Sequence, residues 1–188
     1  MTEHGQGYTD SGRPMTMVTE VWPVAADETG LWLLGDGPRP STPVMDDAEP
    51  HDYAEMELMQ AGMWATTKAL HSTSWRVDYD QNLDRNYLVV TYIAVVDCAA
   101  LVRAEWPQAL PITVEAADAE LGNVPTHGAT EAPAVRHFDV LFHALRHLRF
   151  LLAHDATVAT ALPGCWSRHL AAFEPAIARM YDRIHEPA

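Results

Sequence analysis

Apolar positions change their spacing several times along the chain, and each change predicts an element. Val21-Trp22-Pro23-Val24-Ala25 is continuous, apolar and β-prone. Ala26 to Gly30 is turn chemistry, and Leu31-Trp32-Leu33-Leu34 follows. This predicts a β-hairpin with Gly30 at the turn exit. Pro23 has no amide N–H and predicts an edge position. Residues 35–50 are rich in Pro, Gly, Ser and Asp and read as a loop. From 49 to about 64 the spacing turns helical, with Tyr53, Met56, Met59, Met63 and Trp64 on one broad face, Asp46 or Asp47 as caps and Gly62 near the end.

Residues 70–77 predict a strand on which His71, Thr73 and Trp75 face one way and Ser72, Ser74 and Arg76 the other. After a polar loop, 78–86, residues 87–96 are apolar on both faces. Such a strand is central in its sheet, with helices covering both sides. Residues 99–106 predict a short helix stopped by Pro107, and 107–134 a long acidic loop. Two helices close the chain. Val140, Leu141, Ala144, Leu145, Leu148, Leu151 and Leu152 form one apolar arc, and Leu170, Phe173, Ile177, Met180 and Tyr181 repeat from an opening at Pro163 or Ser167. The expected fold is α+β or α/β: a mixed, mostly antiparallel sheet between helices, with a C-terminal helical pair. Residues 1–17 read as a disordered tail, 18–134 as the core, and 135–188 as the helical pair packed on it.

Composition sharpens this organisation. The 188 residues carry 12 Lys and Arg against 26 Asp and Glu, a net charge of −14. The acidity belongs to residues 1–135, with six basic and 21 acidic side chains; 136–188 carry six and five, and hold six of the ten His. A surface this negative repels phosphates, so a nucleic-acid polymer is not an expected partner. No apolar run is long enough to span a membrane, and the N-terminus has no signal-peptide pattern. Cys98 and Cys165 read as buried thiols in a reducing cytoplasm. One Lys beside 11 Arg, with heavy Ala use, suggests a GC-rich bacterium.

The order hairpin, acidic loop, helix ending at Gly62-Met63, strand, polar loop and apolar strand (LHSTSWRV…NYLVVTYIAVV) resembles the Nudix hydrolase fold over 18–106. That resemblance implies cleavage of nucleoside diphosphates linked to another moiety, with Mg²⁺ or Mn²⁺. Laid on Gly62-Met63, the family motif places its opening Gly on Ser41, its first Glu on Asp47, its Arg-Glu pair on Glu55-Met56, and its two metal-binding Glu on Met59 and Gln60. A thioether and a neutral amide cannot replace carboxylates on Mg²⁺, which demands hard, charged oxygens. The scaffold is therefore expected without the standard chemistry.

Three functional readings follow. The first is a non-catalytic protein binding a small molecule, in a pocket framed by His71, Ser74, Arg76, Tyr92, His143 and His147. It rests on polar residues along an apolar sheet, where an unsatisfied buried group costs about 1–3 kcal/mol. The second is a divergent metal-dependent hydrolase using Asp47, Asp52 and Glu55. The third is a homodimer or partner-binding protein using the C-terminal helices. His143, His147 and His154 share a helical stripe, which gives Zn²⁺ as an alternative ligand for imidazole. Trp22, Trp32 and Trp75 are expected in the core, and Trp64, Trp106 and Trp166 at helix ends.

Overall fold

The computed structural model describes residues 15–35, 43–45, 48–80, 83–98, 101–113 and 137–180. Its strands are β1 (Met15–Asp27), β2 (Gly30–Leu33), β3 (Thr67–Asp80), β4 (Arg85–Val96), β5 (Leu110–Ile112) and β6 (Arg179–Met180). Its α-helices are α1 (Pro50–Gln60), α2 (Val102–Glu105), α3 (His137–His154), α4 (Ala156–Ala161) and α5 (Gly164–Leu170). The strands form one mixed sheet in the order β5-β2-β1-β4-β3-β6. β1 pairs with β4, and β3 with β6, in parallel; β1–β2, β2–β5 and β3–β4 are antiparallel.

β4 is central, as its two apolar faces require. On one face Trp22, Val24, Ile93 and Val95 pack against α3, α4 and α5 through Leu141, Leu145, Leu148, Val158, Trp166 and Leu170. On the other, Val21, Ala25, Tyr92, Ala94 and Val96 meet Ala54, Leu58 and Met63 of the α1 region and Val102 of α2. Helices thus cover both faces of an α+β fold, and the parallel β1–β4 pair is buried as such pairs are.

Several expectations are corrected. β1 starts at Met15, and Met15 to Met17 pair with Asn86 to Leu88, so order begins before residue 18. β3 and β4 run into the polar segment 78–86 and meet in a turn where Asp84 takes φ +46. The stretch after Pro107 adds β5 at the sheet edge; residues 114–134 lie outside the described residues. Among the described residues the C-terminal helical pair is three helices, and the expected last helix stops at Leu170. Beyond it Ile177 is exposed and Met180 lies in β6.

Pro23 sits in an interior strand, not an edge strand. Its carbonyl accepts from Leu34 N at 2.9 Å, so its nitrogen faces the β2 side, at the point where β2 ends. The missing N–H therefore removes little from the ladder. On α1 the buried residues are Ala54, Glu57 and Leu58, while Met56 and Met59 are exposed. Of the proposed face, Met56 and Met59 thus point outward, whereas Met63 is buried and Trp64 packs against the core. Pro50 at the first position and Glu49 at the N-cap start this helix, with no side-chain cap bond. Gly62 ends the region in a left-handed conformation, φ +72.

Candidate functional site

β3 carries a row of polar side chains, and a bulge decides which way they face. His71 pairs with Ile93, but Ser74 pairs with Thr91, so one extra residue is inserted between Ser72 and Ser74. His71, Ser74, Arg76 and Asp78 consequently all face the α3 side, with Ile93 and Thr91. Simple alternation, which set Ser74 and Arg76 opposite His71, fails at this bulge. Trp75 is turned to the other face and is 43% exposed, so it is not core; Trp22 is fully buried and Trp32 partly.

Arg76 is committed to structure. Its guanidinium donates to Glu20 from Nη1 at 3.1 Å and from Nη2 at 2.8 Å, and to Asp78 Oδ2 from Nε at 3.2 Å. Thr91 Oγ1 and Trp22 Nε1 also donate to Glu20, at 3.2 and 2.9 Å. All of these side chains are buried. Arg76 therefore satisfies two buried carboxylates and has little left for a ligand. Ser74 is buried beside it, and its Oγ has no hydrogen-bond partner among the described residues. Sequence reasoning missed Glu20 as the partner of Arg76, although a lone carboxylate inside an apolar strand is itself a sign that a buried cation is needed.

The His stripe of α3 divides. His143 and His147 are buried against the sheet, and His154 is exposed with its ring 4.4 Å from Phe150. His147 Nδ1 donates to the Ala176 carbonyl at 3.1 Å. The same segment accepts from Arg146 Nε through Glu174 O at 3.0 Å, which ties it to α3. His147 Nε2 is buried without a hydrogen-bond partner among the described residues, and the His71 ring lies 5.2 Å away, centre to centre. Burial, then the neighbouring His71 and His143, lower the His147 pKa despite the Ala176 bond. Among the described residues no three His, Cys, Asp or Glu side chains converge as a metal site.

The other named residues lie elsewhere. Tyr92 is on the α1 face, where burial and the charges of Glu49 and Asp52 push its pKa up. Asp52 is exposed, and Glu55 pairs with His51 at 3.4 Å. Asp47 lies outside the described residues. The helices α3, α4 and α5 present no large exposed apolar side chain among the described residues; Ile177, after α5, is the nearest in sequence.

One cavity lies on the α3 side of the sheet. It has a volume of about 190 Å³ and is lined by β3 (Lys68 to His71), β4 (Ile93, Val95), α3 (Leu148, Leu151) and α4 (Thr157, Val158, Ala161). Asp155 forms the wall's N-cap, accepting from Thr157 N at 2.8 Å and Val158 N at 3.2 Å. The wall is mostly apolar, with His71 and Thr157 as its polar members inside and Lys68 tied to Asp97 at 3.1 Å. Of the predicted pocket residues only His71 reaches it. Asp155 marks in the sequence the cap of a short turn, and α4 follows it, but a helix one and a half turns long with little apolar period gives no sign that it walls a cavity. Comparison with protein-family models finds no match to this chain, and comparison with curated proteins finds none either.

Proposed function

We propose that this chain is a small-molecule-binding protein of the cytoplasm, on a Nudix-like scaffold that holds its ligand without cleaving it. The observation that carries this reading is the cavity of about 190 Å³ between β3–β4 and α3–α4. Ligand sites are typically concave and apolar with a few placed polar groups, and this wall has that character. The non-catalytic part rests on Met59 and Gln60, which stand where the resemblance would put metal-binding carboxylates. The expected occupant is small, since a cavity of about 150 Å³ is enough for benzene.

Titration of ¹⁵N-labelled protein with toluene tests the reading. Shifts should centre on the backbone of β3, β4 and α4 around the cavity. Ala161→Trp, which fills the cavity from its α4 wall, should abolish them. Shifts that survive in Ala161→Trp, or that are absent with toluene and equally with its polar analogues phenol and benzoate, overturn the proposal. Phosphate release from nucleotides that requires Mn²⁺ and is lost in Glu55→Gln would replace it with the hydrolase reading.

A further inference from the structure

The state of one polar side chain on the cavity wall, His71, narrows what class of molecule fits it. His71 Nδ1 lies 2.8 Å from the Ser72 carbonyl oxygen. A carbonyl oxygen only accepts, so Nδ1 carries the proton. In the neutral ring Nε2 is then a lone-pair acceptor. His71 lines the cavity; among the described residues its one hydrogen bond is through Nδ1, and Nε2 is not among the buried atoms lacking a partner, so Nε2 remains accessible.

Charge narrows the choice further. Lys68, the cation on the wall, is paired with Asp97. Asp155, the N-cap of the α4 wall, is a carboxylate whose charge is felt at His71. No surplus positive charge faces the cavity among the described residues, so an anion finds no counter-ion there. We propose that the cavity takes a neutral, monocyclic-sized apolar molecule bearing one O–H or N–H donor, which bonds to His71 Nε2. This rests on the small-molecule reading and names its ligand class.

Phenol, toluene and benzoate are the probes, with binding followed by NMR titration of the full chain. Burying a hydroxyl without a partner weakens binding roughly five- to a hundredfold, so a wall without an acceptor would favour toluene over its near-isostere phenol. The expected result is phenol binding at least as tightly as toluene, with benzoate tenfold or more weaker than phenol. The His71 Nε2 ¹⁵N resonance should move with phenol and not with toluene. In His71→Leu, phenol should weaken tenfold while toluene stays within twofold. Phenol weaker than toluene in the unmodified protein, or benzoate as tight as phenol, overturns the ligand class while the cavity reading stands. Because these arms need no variant, they decide the matter even if His71→Leu fails to fold. If none of the three probes binds, it is the cavity reading itself that falls.

Discussion

Arg76 on β3 reaches across β4 to Glu20 on β1, closing two hydrogen bonds of 3.1 and 2.8 Å between residues 56 apart in sequence. Asp78 holds the Nε side of the same guanidinium at 3.2 Å. Both carboxylates are buried with it, so the cation is what makes their burial tolerable. Arg76→Met should destabilise the fold by about 3–5 kcal/mol, because it leaves two buried charges uncompensated. Urea unfolding followed by Trp fluorescence measures this; a loss under about 1 kcal/mol would show that the pair is relieved by solvent.

The same pair gives an acid dependence. Burial works against ionised Glu20, but the Arg76 charge and the bonds from Arg76, Trp22 and Thr91 outweigh it, so its pKa lies below the ordinary 4.5. A depressed carboxyl stabilises the fold above its unfolded value, and that contribution fades as pH falls through the folded value. The stability gap between the unmodified protein and Glu20→Gln should therefore be constant above pH 4.5 and narrow below it. Unfolding midpoints across pH 6 to 3 check this.

His147 works with the opposite chemistry but the same sign. Its folded pKa lies below 6.5, chiefly through burial, so the unfolded chain binds the extra proton first. Stability is complete above pH 6.5 and declines as pH falls from there toward the folded value. Protonation would also place a charge in the buried space shared with the His71 ring. His147→Leu should flatten the slope of stability between pH 6.5 and 5. A slope identical to that of the unmodified protein would assign the acid dependence to other groups.

Asp27 ties the hairpin to α2. Its Oδ1 accepts from Thr29 N at 2.8 Å and Gly30 N and Trp32 Nε1 at 3.2 Å, and its Oδ2 accepts from Val102 N at 2.9 Å. Although burial opposes ionisation, the bond from the Thr29 hydroxyl, with those from Val102 N, Thr29 N and Trp32 Nε1, holds its pKa at about 2. Asp27→Ala leaves several N–H donors unmatched and should cost about 1–3 kcal/mol at neutral pH. The loss should shrink as pH falls from 3.8 toward 2, read from thermal midpoints in both proteins.

Gly62 offers a purely conformational test. A Cβ there would meet no atom within 4 Å, yet φ is +72. Gly62→Ala should cost about 1–2 kcal/mol through backbone strain alone. A neutral result in chemical denaturation would show that the turn after α1 relaxes.

Much of the fold is legible from residue order because local physics sets it. The apolar run 87–96 places its strand at the centre of the sheet, since nothing else could cover both faces of it. The arc from Val140 to Leu152 fixes α3 and the face it buries. Gly30 marks the turn exit of the β1–β2 hairpin. The α1 face is legible only in part: Met63 and Trp64 pack on the core, but the apolar spacing within the helix is shallow, and the flexible Met56 and Met59 lie outside. The extra residue at Thr73 carries no sequence signature; only pairing against β4 reveals that it swings Ser74 and Arg76 onto the side of His71. The partnership of Arg76 with Glu20 is likewise a product of strand order, since β4 lies between them. The cavity belongs entirely to the tertiary structure. It exists because a short helix, α4, closes over β3 at a distance that side chains from four elements do not quite fill, and no one of those segments encodes that gap.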